Sequence, residues 1–332
     1  MRNLGRRGRT IGIAGMALAA CAVGSCGAPT GPKYADVAVV YDQDSSIVRS
    51  GAISLAQASR GFYQLYPDQY EFLVIFTVAD YSVFEIPSTD LAHYLTVRNH
   101  VGGIGLDQNY DIGRQFGSPG KLEGIVYLGA LDRYCDIAAR TVRPGTSFIV
   151  AHEFGHRFGA YASILAPGAP RTHLLDFYRS HWTLAMSSGA SPMGGMDWRD
   201  DGDGTFTAMD KWRGLYSWLD LYLMGLAQPD EVGPITVLDI DPRPDSVAIG
   251  TTLATTARTF TADEVIAATG TRVPACGEAP TSWRAAFILV ASNSQEADAA
   301  AVAALDAVRT WWSARFRELT RDRGTMITDL AP

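Results

Sequence analysis

Residues 152–156 read His-Glu-Phe-Gly-His, and this pentad constrains the fold more than any other part of the chain. If the segment is helical, the two histidines lie on one face, where both imidazoles can reach a single metal ion. Ser147 is a candidate N-cap for such a helix, the next four residues are apolar, and Gly159 is a candidate terminator. The pattern therefore predicts a metal-binding helix. The alternative is a buried helix whose histidines only make hydrogen bonds.

The His-Glu-x-x-His pattern, extended by the glycine at 159, resembles the motif of the zincin metallopeptidases. The resemblance implies Zn²⁺ as cofactor, a peptide or protein as substrate, and His152 and His156 as two metal ligands. It also implies that Glu153 acts as general base on a zinc-bound water. The implied fold is α+β: a zincin-like catalytic domain, with a mixed sheet and an active-site helix, and a mainly helical C-terminal subdomain.

A catalytic zinc site needs a third protein ligand, and two residues are candidates. The first is His181, which precedes Ser191-Pro-Met193, a segment that resembles the Met-turn of the metzincins. The third metzincin histidine would fall at position 162, which is alanine, so this interpretation requires a longer link after the helix. The second is Asp220, which resembles the aspartate that a second helix presents to the metal in the aspzincins. Both candidates stay open at this point.

Tyr222 lies two residues after Asp220, in the predicted helix 216–225. A phenol stabilises the transition-state oxyanion in several zincins, so the resemblance makes Tyr222 a candidate for that role. A packed core tyrosine is the alternative, because the surrounding residues are largely apolar.

Composition and charge exclude some classes of protein. The chain has 332 residues, of which 47% are hydrophobic and 19% charged, as in a globular protein with a packed core. The formal net charge is −7. Removing the four arginines of the first ten residues leaves 24 basic against 35 acidic residues, a balance of −11. Such an acidic chain argues against nucleic acid as a partner.

The N-terminus has the pattern of an export signal. A basic segment, residues 1–10, precedes an apolar run at 11–20 that is too short to anchor the chain in a bilayer. The run leads into Leu18-Ala-Ala-Cys21, which resembles a bacterial lipobox, and Cys26 is a second, weaker candidate. We therefore expect an exported envelope lipoprotein or extracellular protein, which meets a membrane only through a lipid on Cys21. An ordinary secretory signal is the alternative.

The rest of the chain divides into a tether at 21–35, a catalytic domain at 36–234 and a C-terminal α/β subdomain at 235–332. Strands are predicted at 36–41, 71–78, 122–131, 235–238, 246–251 and 285–290, and helices at 50–65, 216–225, 261–268 and 297–320. Segment 122–131 is a candidate for the sheet edge that pairs with extended peptides in zincins. Residues 98–121 and 167–211 are predicted loops. Cys135 and Cys276 form either a disulfide or two separate thiols.

The leading hypothesis from the sequence is a secreted or lipid-anchored zinc endopeptidase. One alternative is a non-catalytic surface lipoprotein that keeps a zincin-like fold, although an intact Glu153 argues against it. Another is a metal-dependent hydrolase of a non-protein amide, such as one in the cell wall. The motif itself does not distinguish peptide from non-peptide amides.

Overall fold

A six-stranded sheet forms the centre of the protein and carries the helix of the 152–156 pentad on one face. The computed structural model describes residues 36–86, 90, 92–189, 191–212 and 214–330, and within them helices and sheets are mixed. The predicted signal peptide and tether, with Cys21, lie outside the described residues. None of the described helices is both long enough and apolar enough to cross a bilayer.

The central sheet combines parallel strands with one antiparallel edge. Its strands are, in spatial order, β1 (Ala38–Tyr41), β18 (Ser282–Ala291), β4 (Phe72–Thr77), β9 (Gly124–Ala130) and β6 (His93–Thr96), and β19 (Thr325–Ile327) pairs with one end of β18. The first four run parallel, whereas β6 is antiparallel to β9. Every residue of β4 and β9 is buried, which explains why both are nearly continuous apolar runs.

β6 forms the edge of this sheet on the side of β9, and the expectation that segment 122–131 forms the edge is wrong. That segment does contain a strand, β9, but it lies between β4 and β6, so both of its backbone edges are paired. An apolar run predicts a buried strand without telling a central strand from an edge strand. β6 has only four residues, His-Tyr-Leu-Thr, and is mostly half-buried, so it gave no strand signal.

The end of the chain contributes to the same central sheet. β18 lies between β1 and β4, and helix α5 (Ala299–Leu319) packs against the helix that carries the pentad, where Trp312 stacks on Phe154 at 5.0 Å. The expected boundary between residues 234 and 235 therefore separates segments that share one sheet. In the described part of 235–332, two helices hold 29 residues and five strands hold 24, so this segment mixes helices and strands.

A second six-stranded sheet follows the helix of the 152–156 pentad. Its strands are, in spatial order, β16 (Thr252–Ala254), β14 (Thr205–Asp210), β13 (Gly194–Asp200), β12 (Trp182–Ser187), β15 (Ile235–Leu238) and β17 (Ala257–Phe260). β12, β13 and β14 lie inside 167–211, which was expected to be loops. Glycine- and aspartate-rich turns between these strands conceal them in the sequence. The strand expected at 246–251 is also displaced, because β16 begins at Thr252.

The remaining helices agree in position with the sequence pattern. They are α1 (Leu55–Tyr63), α2 (Thr146–Gly155), α3 (Trp218–Met224) and α4 (Ala262–Thr269). α2 begins two residues earlier than expected, with Gly145 as N-cap, so Ser147 lies inside its first turn. It ends at Gly155, with His156 as the C-cap residue. α4 begins with a capping box formed by Thr261 and Glu264.

Short elements complete the described fold. They are β2 (Val48–Arg49), β3 (Ala52–Ile53), β5 (Ser82–Val83), β7 (Arg98–Asn99), β8 (Tyr110–Asp111), β10 (Cys135–Asp136) and β11 (Thr141–Val142), with 3₁₀ turns at Gly113–Phe116, Leu131–Arg133 and Pro229–Glu231. Cys135 and Cys276 are free thiols, so of the two alternatives the structure has separate thiols and no bridge between them.

Candidate metal centre

Three histidine side chains meet at one point above the central sheet. His152 comes from α2, His156 from the end of that helix, and His181 immediately precedes β12. Nε2 of His152 lies 3.2 Å from Nε2 of His156 and 3.1 Å from Nε2 of His181. The structure thus brings His181 to the two histidines of the pentad.

Hydrogen bonds behind two of these rings determine which nitrogen faces the centre. Nδ1 of His152 lies 2.7 Å from the carbonyl oxygen of Pro192, and Nδ1 of His181 lies 3.0 Å from a carboxylate oxygen of Asp176. Both oxygens accept hydrogen bonds, so both Nδ1 atoms donate and each Nε2 carries a lone pair. Two lone pairs that face each other across 3.1 Å repel, and a cation between them removes that repulsion.

Burial keeps two of the imidazoles in the neutral form that binds metals. It lowers the pKa of His152 to about 4, although the hydrogen bond to Pro192 acts in the opposite direction. Burial also lowers the pKa of His156 well below its ordinary value, and the neighbouring imidazoles act in the same direction. Both rings are therefore uncharged at neutral pH and ready to coordinate a cation.

The donor set and its spacing fit zinc. Tetrahedral zinc with bonds to nitrogen of about 2.0–2.1 Å holds its ligand nitrogens about 3.3–3.4 Å apart. The observed separations of 3.1 and 3.2 Å lie close to that value. Imidazole nitrogen is a common zinc ligand, and three protein ligands leave the fourth tetrahedral position open, as in catalytic zinc sites.

Glu153 supplies a carboxyl group beside the three imidazoles. The side chain is buried, and burial raises the pKa of the carboxyl to about 8, with the charge of Asp90 adding to the rise. A backbone hydrogen bond from Tyr94, on β6, acts in the opposite direction. A dication next to this carboxyl favours its ionised form, in which it accepts a proton.

These groups line a cleft of about 540 Å³. β6 forms one wall, and its outer backbone edge is not paired with any strand of the described chain. Phe148, from the first turns of α2, lines the cleft and stacks on His152 with ring centroids 5.7 Å apart. The cleft thus combines a sheet edge, an aromatic wall and the three imidazoles.

Tyr161 is a cleft residue that the sequence analysis missed. Its hydroxyl donates to the carbonyl oxygen of His156 at 2.9 Å, and its ring lines the cleft beside Glu153. Burial raises the pKa of this phenol, and the charge of Glu153 adds to the rise, so the group is a neutral O–H donor at neutral pH. It lies in the loop after α2 and belongs to no motif, so the sequence gave no signal for it.

Tyr222, expected as the oxyanion-stabilising phenol, lies elsewhere. It is buried on α3, and its hydroxyl accepts from the backbone N–H of Arg272 at 3.4 Å. The described residues that line the cleft do not include it. The structure therefore favours the alternative, a packed tyrosine, because α3 directs this ring into the core.

Asp220, the alternative third ligand, lies behind the histidines and is absent from the described group of convergent ligands. One oxygen of its fully buried carboxylate accepts from Nε1 of Trp182 at 2.8 Å. The other accepts from Oγ of Ser191 at 2.5 Å, and from both N and Oγ of Ser217 at 2.7 Å. All these contacts are to groups other than the imidazoles. Asp220 closes the capping box of α3 and ties three segments together.

The turn that contains Ser191 supports the histidines from below. Its Pro192 carbonyl accepts from His152, and Met193 packs so closely against α2 that a Cβ at Gly155 would collide with the Met193 sulfur. The segment thus lies under the helix at the level of the histidines.

Comparison with protein-family models, curated proteins and solved structures found no match for this chain.

Proposed function

We propose that the protein is a zinc-dependent peptidase with a zincin-like fold. The observation that carries this proposal is the convergence of three imidazoles beside the carboxyl group of Glu153 in an open cleft. Two of the imidazoles have their lone pairs fixed towards the centre by hydrogen bonds at Nδ1. The antiparallel edge strand β6 beside the helix is the arrangement that a zincin-like fold requires.

Zinc, when bound, would polarise the scissile carbonyl and acidify a water molecule. Glu153 takes the proton of the attacking water at a carboxylate oxygen and delivers it to the leaving amine nitrogen. The hydroxyl of Tyr161 donates to the oxygen of the scissile carbonyl as negative charge develops there, after releasing the His156 carbonyl. The Pro192 carbonyl and the Asp176 carboxylate, which accept from Nδ1 of His152 and His181, hold these two rings in position during the reaction.

An extended peptide is the substrate that the cleft fits best. The outer edge of β6 offers backbone donors and acceptors, so a peptide binds by adding a strand to the sheet. Strand addition places the peptide backbone along the cleft, across the imidazoles. A non-peptide amide gains nothing from this edge, so the edge strand favours a polypeptide.

The location of the activity follows from the N-terminal pattern. We propose that the chain is exported and that Cys21 is acylated, which restricts cleavage to substrates near the cell envelope or outside the cell. Palmitate incorporation that is lost in Cys21→Ser and kept in Cys26→Ser supports this proposal. Incorporation into neither variant nor the wild type points to a plain secreted protein.

The decisive variant for the activity is Glu153→Gln. The zinc-loaded wild type should cleave members of a peptide library. Glu153→Gln should keep one equivalent of zinc and lose about 10²–10⁴-fold in kcat, because general acid–base catalysis contributes that much. Glu278→Gln, which changes an exposed carboxylate in a loop, is the matched control and should behave as wild type.

Three outcomes distinguish the candidate functions. Zinc binding without cleavage of peptides or cell-wall amides would favour a non-catalytic role. Cleavage of cell-wall amides alone would identify a hydrolase of another bond. Equal activity of Glu153→Gln and wild type would exclude Glu153 as the base.

A further inference from the structure

Two aromatic side chains project into solvent next to the metal centre. Phe177 is 87% exposed and Tyr178 is 80% exposed, whereas the next most exposed large hydrophobic residue of the described chain, Ile249, is 62% exposed. Their ring centroids lie 5.4 Å apart in an edge-to-face arrangement. Apolar side chains that project this far gain little from folding, so their exposure calls for an interaction with another molecule.

The turn that carries the pair is held by the same aspartate that orients His181. The backbone N–H of Asp176 donates to the carbonyl of His181 at 2.9 Å, and its carboxylate accepts from the N–H of Ser180 at 3.2 Å. Arg179 has a φ of 60°, in the left-handed region that non-glycine residues rarely adopt. Strained residues of this kind concentrate at functional sites, where the surrounding contacts hold them.

This turn lies at the rim of the cleft. Ser180 and His181, at the end of the turn, line the cleft from the side of the second sheet, while β6 lines it from the central sheet. The pair at 177–178 is therefore separated from the metal centre by only two or three residues. Because Asp176 fixes both the turn and the His181 ring, the aromatic pair has a defined position relative to the cleft.

We propose that Phe177 and Tyr178 form an exosite that binds an apolar segment of a polypeptide substrate outside the cleft. This inference rests on the proposed peptidase function. Aromatic side chains provide large contact area at low cost in conformational entropy, and they often dominate binding at protein interfaces. The exosite selects long, unfolded or flexible polypeptides with large apolar side chains, since a short peptide that fills the cleft does not reach the pair.

A polypeptide fits this surface better than a lipid bilayer does. The pair belongs to the same turn as Ser180 and His181, which line the cleft, so we expect a substrate chain that leaves the cleft on this side to meet it. The whole chain has a net charge of −7, which repels an anionic lipid surface. Two side chains are also a small area for membrane insertion compared with the acyl chain expected on Cys21.

The test compares Phe177→Ser/Tyr178→Ser with wild type on two substrates. One is a set of quenched hexapeptides, and the other is reduced and carboxymethylated serum albumin. We expect KM for albumin to rise about tenfold or more, with zinc content and hexapeptide turnover unchanged. Ile249→Ser, which removes another exposed apolar side chain, is the control and should match wild type on both substrates.

Several results would overturn the exosite. One is an unchanged KM of the double variant for albumin, and another is an equal loss of cleavage on hexapeptides and albumin. A third is a double variant that no longer co-sediments with phosphatidylcholine vesicles but cleaves as wild type does, which would assign the pair to lipid binding. If the wild type cleaves neither substrate, the peptidase proposal fails, and binding of fluorescent albumin by fluorescence anisotropy still decides the exosite. Tighter binding by wild type than by the double variant supports it, and equal binding refutes it.

Discussion

Asp220 allows the sharpest test of how the histidines are held. Its carboxylate links Trp182, which adjoins His181, to Ser191, whose turn accepts the hydrogen bond of His152. We expect Asp220→Asn to destabilise the metal-free fold and to weaken zinc binding without removing a ligand. The same change at Asp263, an exposed aspartate in the first turn of α4, is the matched control.

The expected loss of stability in Asp220→Asn follows from the number of hydrogen-bond donors that surround the carboxylate. An asparagine keeps one acceptor, and its NH₂ group donates where the second carboxylate oxygen accepted. The hydroxyls of Ser191 and Ser217 can rotate to accept from this NH₂ group, whereas the N–H of Ser217 and the indole N–H of Trp182 can only donate. One buried donor therefore loses its partner in either orientation, which costs about 1–3 kcal/mol.

A second effect acts in the opposite direction. Burial raises the pKa of Asp220, despite the hydrogen bonds that lower it, so the neutral side chain recovers part of the desolvation cost of the charge. We expect the unpaired donor to dominate, with a net loss of about 1–3 kcal/mol for asparagine. Alanine leaves more donors unpaired and should cost about 2–5 kcal/mol, part of which rotated hydroxyls recover.

Two measurements check this prediction. Urea denaturation of the metal-free proteins gives the change in the free energy of unfolding, and competition with a chromogenic chelator at one pH gives the zinc dissociation constant. Groups that orient a metal ligand typically contribute about 10–100-fold to affinity, so Asp220→Asn should fall in that range and His181→Ala should lose more. Unchanged stability and affinity would refute the role of Asp220. Loss of zinc in Asp220→Ala, with full retention in His181→Ala, would make Asp220 a direct ligand.

Three further predictions concern groups around the cleft and one surface ion pair. Tyr161→Phe should lower kcat by about 10²-fold or more with KM and zinc content unchanged, because it removes only the hydroxyl, and steady-state kinetics with metal analysis checks this. Asp176→Asn should weaken zinc binding by about 10–100-fold by releasing the ring of His181, as measured by chelator competition. Arg323 lowers the pKa of Glu231 to about 2, so stability from this pair is present above the unfolded pKa near 4.5 and is lost as pH falls towards 2. The stability difference between wild type and Arg323→Met should therefore shrink as pH falls through 2, down to the share that comes from the hydrogen bond of Arg323 to the Leu226 carbonyl and its contact with the Trp218 ring. A difference that does not change with pH would contradict the pairing.

The sequence predicted those residues of the site whose relative positions depend only on their spacing along one short segment. His152 and His156 share a short segment, so one turn of helix brings them together, and the structure places both imidazoles in the cluster. His181 was indicated by distance along the chain and by the Met-turn resemblance of 191–193. The hydrogen bond that His181 donates to Asp176, which orients the ring, depends on a tight turn, and no sequence pattern marked it.

Asp220 was a candidate metal ligand in the sequence, but its surroundings in the chain also fit a helix-capping role. Ser217 stands three residues before it, a pattern typical of a capping box, and the structure contains that box. A carboxylate that caps its own helix has few lone pairs left for a metal. Its burial among apolar neighbours therefore reflects a structural role behind the histidines.

β6 and Tyr161 could not be predicted because tertiary contacts alone bring them to the cleft. β6 is a four-residue strand whose pairing with β9 fixes it as the edge, and its sequence has no clear alternation. Tyr161 occupies a loop, and only the path of the chain after α2 places its ring beside Glu153. Both positions depend on long-range packing.

Zinc K-edge X-ray absorption of the protein loaded with one equivalent of zinc tests the proposed centre most directly. We expect three imidazole nitrogens at about 2.0–2.1 Å and one further light atom, and we expect His181→Ala to lose one imidazole from the spectrum. A spectrum of fully hydrated zinc would contradict the metal centre. Two imidazoles with a carboxylate, unchanged in His181→Ala, would contradict the assignment of His181 as the third ligand.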